Sequence, residues 1–165
     1  MKMENTVKAF IEIPRGSSNK YEYDKEKGEF FLDRTLYSPM FYPTEYGFIP
    51  ETLGDDGDPL DIMVLTAYPT FPGCTIESRV IGMLLMIDQG EGDEKIIAVP
   101  VGDPRYENVQ TIDDVNGHLK KEIEHFFSHY KDLEKKEVQI NGWAGKKEAF
   151  SMIEKAKENY KKSHK

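Results

Sequence analysis

The apolar residues change period part-way along the chain, and that change limits the folds open to it. Up to Val101 they come in short runs punctuated by Gly, Pro and Asp. Residues 7–13 alternate as a strand does, and Pro14-Arg15-Gly16-Ser17-Ser18 ends the run. Residues 20–24 and 29–33 flank Lys25-Glu26-Lys27-Gly28, a hairpin pattern with glycine in its turn. Residues 62–66, 75–87 and 96–101 are further predicted strands, with Gly82 marking a bulge or a close-packing point. Beyond Asn116 the spacing becomes helical: Leu119, Ile123, Phe126, Phe127 and Tyr130 share one face behind an Asn cap. Residues 137–140 predict a short strand, and Ala149, Ile153, Ala156 and Tyr160 mark a second amphipathic helix. Strands followed by two helices predict an α+β domain, a twisted sheet or small barrel carrying helices. The lysine-rich end, residues 155–165, is expected to fray.

Composition narrows what such a fold can do. The 165 residues suit one domain, 1–165, with 9 Phe, 9 Tyr and 1 Trp to build a core. Acids outnumber bases 30 to 22, a formal charge of −8 that argues against a nucleic-acid partner. Cys74 is the one cysteine, which excludes an intrachain disulfide and a cysteine-based zinc site and suits a reducing cytoplasm. The N-terminus lacks the apolar stretch of a signal peptide. The longest apolar run, residues 80–87, is far short of the roughly 18 residues of a membrane span. A cytoplasmic protein without a membrane partner is expected.

The sharpest local feature is Asp55-Asp56-Gly57-Asp58-Pro59-Leu60-Asp61, followed at once by Ile62-Met63-Val64-Leu65. Clustered carboxylates repel one another and persist cheaply only if hydrated or neutralised by a cation. Oxygen donors without Cys or His suit hard divalent ions. The plainer alternative is a hydrated turn, since Asp, Gly and Pro are turn residues. An EF-hand fits poorly: counted from Asp56, position 6 is Asp61 rather than Gly and position 12 is Ala67 rather than Glu. Asp88-Gln89-Gly90-Glu91-Gly92-Asp93-Glu94-Lys95 is a second acidic stretch, an exposed hairpin loop or the other half of a multi-metal site. In the segment from Phe41 to Pro50, Phe41 and Phe48 are expected to pack, while the polar tips of Tyr42 and Tyr46 could reach a ligand. Lys20 and Glu22 share a strand face with Arg34 at the end of the partner strand. His125 and His129, four apart on one helical face, suggest a surface or subunit contact.

Taken in order, these elements resemble the soluble, magnesium-dependent inorganic pyrophosphatases of the single-domain β-barrel family, prokaryotic type. The resemblance runs through Ile11-Glu12-Ile13-Pro14, Lys20-Tyr21-Glu22, Asp33-Arg34, Phe41-Tyr42-Pro43 with Tyr46-Gly47, the run Asp56-Gly57-Asp58-Pro59-Leu60-Asp61, the stretch Asp88 to Lys95, and His129-Tyr130-Lys131-Asp132-Leu133-Glu134. It implies a five-stranded OB-like β-barrel with two flanking α-helices. It implies a homo-oligomer, a hexamer favoured, acting on pyrophosphate by direct attack of a metal-activated water. The cofactor implied is Mg²⁺, several ions, for which Mn²⁺ could substitute. Asp56, Asp61 and Asp93 resemble the ligands of one metal, with Asp61 bridging to a second. Asp88 and Asp93 resemble those of another, and Glu12 a contact to one more. Asp58 resembles the general base, and Lys20, Arg34, Tyr46, Tyr130 and Lys131 resemble phosphate contacts, with Glu22, Tyr42 and Lys95 in support. Gln89 stands where other members place a glutamate, a change expected to tune activity rather than remove it.

Two other classes compete. A non-enzymatic OB-like module would stack bases or sugars on barrel aromatics, but it calls for a basic groove and gives no reason for aspartates in two loops. A calcium-stabilised structural domain would respond thermally to Ca²⁺ without turnover. The charge of −8 disfavours a small polyanion only until the cations that the acids would hold are counted.

Overall fold

The structure, a computed structural model, describes residues 5–164. The first four residues and Lys165, on which the expectations for the N-terminus and the tail partly fall, lie outside the described residues. Among the described residues, nine strands and two α-helices follow one another as β1 (Thr6–Ile13), β2 (Asn19–Asp24), β3 (Glu29–Thr35), β4 (Glu45–Phe48), β5 (Asp61–Val64), β6 (Thr75–Asp88), β7 (Glu91–Gly92), β8 (Lys95–Pro100), α1 (Gly117–His129), β9 (Val138–Ala144) and α2 (Lys146–Ser163).

Five strands close a ring in the order β1-β4-β5-β8-β6, and pairing of β6 back onto β1 completes it. This is an OB-like barrel with two helices against it. The ring closes because β6 is 14 residues long: its first residues pair with β1, its middle with β8 and its last with β9. Two bends let one strand serve several partners. Register shifts between Val80 and Gly82, where a Cβ on Gly82 would lie 2.6 Å from the Ala144 carbonyl oxygen, so this glycine is both bulge and close-packing point. A second shift falls between Leu85 and Met86.

β5 and β8 pair in parallel and are buried on both faces, hence their continuous apolar runs. Met63 and Ile97 join the core beneath α1, with Ile123, Phe126 and Phe127. Ile62, Ile96 and Ala98 join the core beneath α2, with Ala149 and Ile153. Asn116 caps α1 as predicted, its Oδ1 accepting from the amides of His118 at 2.9 Å and Leu119 at 3.2 Å.

Three expectations need correction. The aromatic segment contains strand β4, hidden because Gly47 interrupts its pattern and pairing comes from the distant β1 and β5. Phe41 is not packed but 58% exposed, whereas Phe48 is buried. The lysine-rich end does not fray within the described residues: α2 runs to Ser163. Ala156 is buried, the Asn159 side-chain amide donates to the Leu53 carbonyl at 3.2 Å, and Tyr160 stacks on His164 with centroids 3.9 Å apart. Those contacts offset the repulsion among its lysines.

Candidate active site

Each wall of the site is set by a separate local device. The β2–β3 hairpin forms its own two-stranded sheet, turned at Gly28 with φ +65°. The Asp24 carboxylate accepts from the amides of Glu26 and Lys27 in that turn. A shift between Lys20 and Tyr21 sets Lys20 opposite Arg34. Asp33 then bridges them, its Oδ2 lying 3.1 Å from the Lys20 ammonium and 3.2 Å from Arg34 Nη1.

The acidic loop before β5 is a fixed turn. Gly57 adopts φ +88°, Gly54 N donates to the Asp58 carbonyl at 2.7 Å, and Asp58 N donates to Asp56 Oδ1 at 3.0 Å. Buried Thr52 takes the Leu60 amide on its hydroxyl at 3.0 Å and donates to the Ile49 carbonyl. Helix α2 holds the loop from behind, the Ala156 carbonyl accepting from Leu53 N at 2.9 Å. Asp61 thereby opens β5. The second acidic stretch is a tight hairpin between β6 and β7, with Gln89 and Gly90 both at positive φ as a two-residue turn requires.

All of the residues expected to act in catalysis, metal or phosphate binding come to one cleft of about 1110 Å³: Glu12, Lys20, Glu22, Arg34, Tyr42, Tyr46, Asp56, Asp58, Asp61, Asp88, Asp93, Lys95, Tyr130 and Lys131. At its floor Lys95 is 1% exposed. Its ammonium donates to Tyr46 Oη at 2.6 Å, Asp61 Oδ2 at 3.0 Å and Asp93 Oδ1 at 3.0 Å. Burial disfavours its charge, but Asp61, Tyr46 and Asp93 outweigh it and hold its pKa well above the ordinary lysine value. Lys131 pairs with Asp88 at 2.5 Å.

The acids carry the imprint of crowding. Burial, with Asp61 and Glu22 nearby, pushes Glu12 up to about 7 despite the hydrogen bond from Tyr23 N. Burial and then Asp56 raise Asp58, and burial, opposed by Lys95, raises Asp93. Burial likewise raises Tyr42, Tyr46 and Tyr130, so all three remain O–H donors at neutral pH. Ten acidic and five basic side chains line the cleft. That surplus of oxygen donors, with no Cys or His among them, suits hard divalent cations. Among the described residues no three His, Cys, Asp or Glu side chains converge as a closed cage. Asp61 and Asp93 are turned to Lys95, and Asp56 to the Asp58 amide.

The family model for inorganic pyrophosphatase matches residues 9–161. The inorganic pyrophosphatase of Geobacillus stearothermophilus is 57% identical over 161 residues, spanning 97% of this chain and 98% of that one. The crystal structure of the Thermus thermophilus inorganic pyrophosphatase superposes with a TM-score of 0.93 at 47% identity, over 98% of this chain and 94% of that one. The Helicobacter pylori enzyme gives 0.92 at 41% identity, over 98% of each chain.

This chain belongs to the inorganic pyrophosphatase family.

It is an enzyme of the phosphoanhydride hydrolase class. Within this pyrophosphatase, three side chains to which the sequence reading gives no role support the cleft. Asp33 was legible in principle, since the hairpin register sets its neighbour Arg34 opposite Lys20. Glu134 closes the last motif of the resemblance, but that motif gives it no role because its carboxylate meets a residue far away in sequence, and Thr52 has no local signal, its hydroxyl acting across a turn. No helix among the described residues is long and apolar enough to cross a membrane.

Proposed function

We propose that the cleft hydrolyses inorganic pyrophosphate to two orthophosphates by direct attack of water, with several divalent cations, Mg²⁺ first among them, held by Asp56, Asp61, Asp88, Asp93 and Glu12. The observation that carries this is the mixed charge of the cleft: phosphate-binding bases stand among an excess of carboxylates that a polyanion could not approach without cations. When bound, such ions cancel the surplus charge and make a water more acidic.

The chain's own residues divide the rest. Arg34 offers a planar fork to a terminal phosphate, while Lys20 and Lys131 act as point charges. Tyr46 and Tyr130, kept protonated by burial, donate to phosphate oxygens, with Tyr42 buried behind them. Lys95 fixes the orientation of Asp61 and Asp93 from below. Asp58, its pKa raised by burial and then by Asp56, is the proton acceptor: as the water oxygen bonds phosphorus its proton passes to Asp58. The bridging P–O bond breaks, its electron pair leaves with the second phosphate, and the proton is returned to product. Glu22 stands beside Glu12, where its like charge adds to the rise in that carboxyl's pKa. The same family reading carries a cytoplasmic homo-oligomer, a hexamer favoured. An apolar hollow of about 600 Å³ that includes exposed Phe41 and His125 supports a contact between copies there.

Phosphate release by the wild type and by Asp61→Asn tests these roles. With millimolar Mg²⁺ the wild type should turn over, and the variant should fall by about 100-fold or more. Equal rates would overturn the metal assignment, and no release by the wild type would overturn the activity.

A further inference from the structure

Arg34 is held from two sides by carboxylates of different origin. Asp33, its chain neighbour, lies 3.2 Å from Nη1. Glu134, a hundred residues on, places Oε2 3.3 Å from Nε. Glu134 is the more deeply sunk of the pair, its side chain 5% exposed against 22% for Arg34. It belongs to the 3-10 turn Asp132–Glu134, directly after Tyr130 and Lys131. Backbone bonds brace that turn, Lys135 N to the Asp132 carbonyl at 2.9 Å and Lys136 N to the Lys131 carbonyl at 3.3 Å. The Lys136 ammonium stands 3.7 Å from Glu134 Oε1. Glu134 therefore ties the hairpin wall to the segment that carries Lys131.

The pair is close but not aligned: Arg34 Nε and Glu134 Oε2 are both buried without a hydrogen bond, and so is Arg34 Nη2. A buried ion pair with unfinished hydrogen bonds is a poor source of stability, because desolvation consumes most of its Coulomb gain. Its effect is directional. With one carboxylate at Nη1 and another at Nε, the guanidinium plane is set, and the N–H groups left for an oxygen anion lie along its Nη1–Nη2 edge.

We propose that Glu134 is a positioning residue that orients Arg34 for a terminal phosphate oxygen and couples that contact to the Tyr130-Lys131 wall. The inference rests on the reading of Arg34 as a phosphate contact. It predicts a double-mutant cycle that fails to add. Glu134→Ala should lower kcat/KM for pyrophosphate by about 10- to 100-fold, the scale of a misplaced contact. In an Arg34→Ala background the same change should cost less than about threefold. Glu134→Gln keeps the shape and one acceptor oxygen, and it should fall between wild type and Glu134→Ala. Should Glu134→Ala fail to fold, the cycle runs with Glu134→Gln. Thermal midpoints are recorded on the same proteins. An equal loss in both backgrounds, or a lowered midpoint with unchanged kcat/KM, would show a structural role and overturn the proposal. Wild-type kcat/KM in Arg34→Ala would overturn the phosphate contact itself, and with it the role of Glu134. Absence of turnover in the wild type would overturn the pyrophosphatase reading beneath both.

Discussion

Lys95→Met removes the buried ammonium at the floor of the cleft while keeping most of the side chain's volume. Lys95 is 1% exposed and holds Asp61, Asp93 and the Tyr46 hydroxyl within 3.1 Å. Removing one partner of a buried ion pair costs about 3–5 kcal/mol, since the survivor is left uncompensated. Here the survivors are partly wet, the Asp61 and Asp93 side chains being 32% and 23% exposed, so the cost falls to about 2–3 kcal/mol. A chain of this length loses about 2–4 °C of thermal midpoint per kcal/mol, so the midpoint should drop by about 4–12 °C. The assay is thermal unfolding in chelator, with protein concentration held equal for wild type and variant. Repeating it in millimolar Mg²⁺ adds a second demand. Cations bind the folded state of wild type and variant alike, but carboxylates freed from Lys95 hold them more tightly, and each tenfold in Kd returns about 1.4 kcal/mol more to the variant. The deficit should therefore shrink. A midpoint within about 1 °C of wild type in chelator would refute the electrostatic account of the floor. So would a deficit that Mg²⁺ leaves untouched.

Gly47→Ala should destabilise by about 3 kcal/mol or more, because the added Cβ would meet the Phe10 carbonyl oxygen at 1.9 Å and force β4 off β1. Urea unfolding checks it, and wild-type stability would mean that the barrel seam is looser than described. Glu12, raised from 4.5 to about 7 by burial first, binds more protons folded than unfolded between those values, so in chelator its contribution to stability falls as pH rises through that window and is level above it. Denaturation across that window should show a shallower fall in Glu12→Gln than in wild type, and parallel curves would refute the assignment.

Features made by neighbours along the chain are legible in the residues themselves. The alternation of Val7, Ala9, Ile11 and Ile13 is the burial pattern of β1, and Asn116 caps the helix whose face it precedes. The acidic loop is legible because Gly57 and Pro59 shape its turn locally and Leu60 anchors it. What stays hidden depends on distant partners. β4 is a strand only because β1 and β5 lie on either side of it. The end of α2 stays helical because Asn159 reaches the Leu53 carbonyl, which its lysine content does not reveal. Phe41 carries no local mark of exposure, and Glu134 carries none of its meeting with Arg34. Formal charge is also incomplete, since ten acids beside five bases make a cleft whose surplus charge suits cations that the count omits.

Phosphate release from pyrophosphate, measured with Mg²⁺, with excess chelator, and after Mg²⁺ is restored, tests the central claim most directly. The expected result is two phosphates per pyrophosphate consumed, none in chelator, and full recovery on restoration, with a nucleoside triphosphate hydrolysed far more slowly. Undiminished release in chelator, or no release with Mg²⁺, would contradict it.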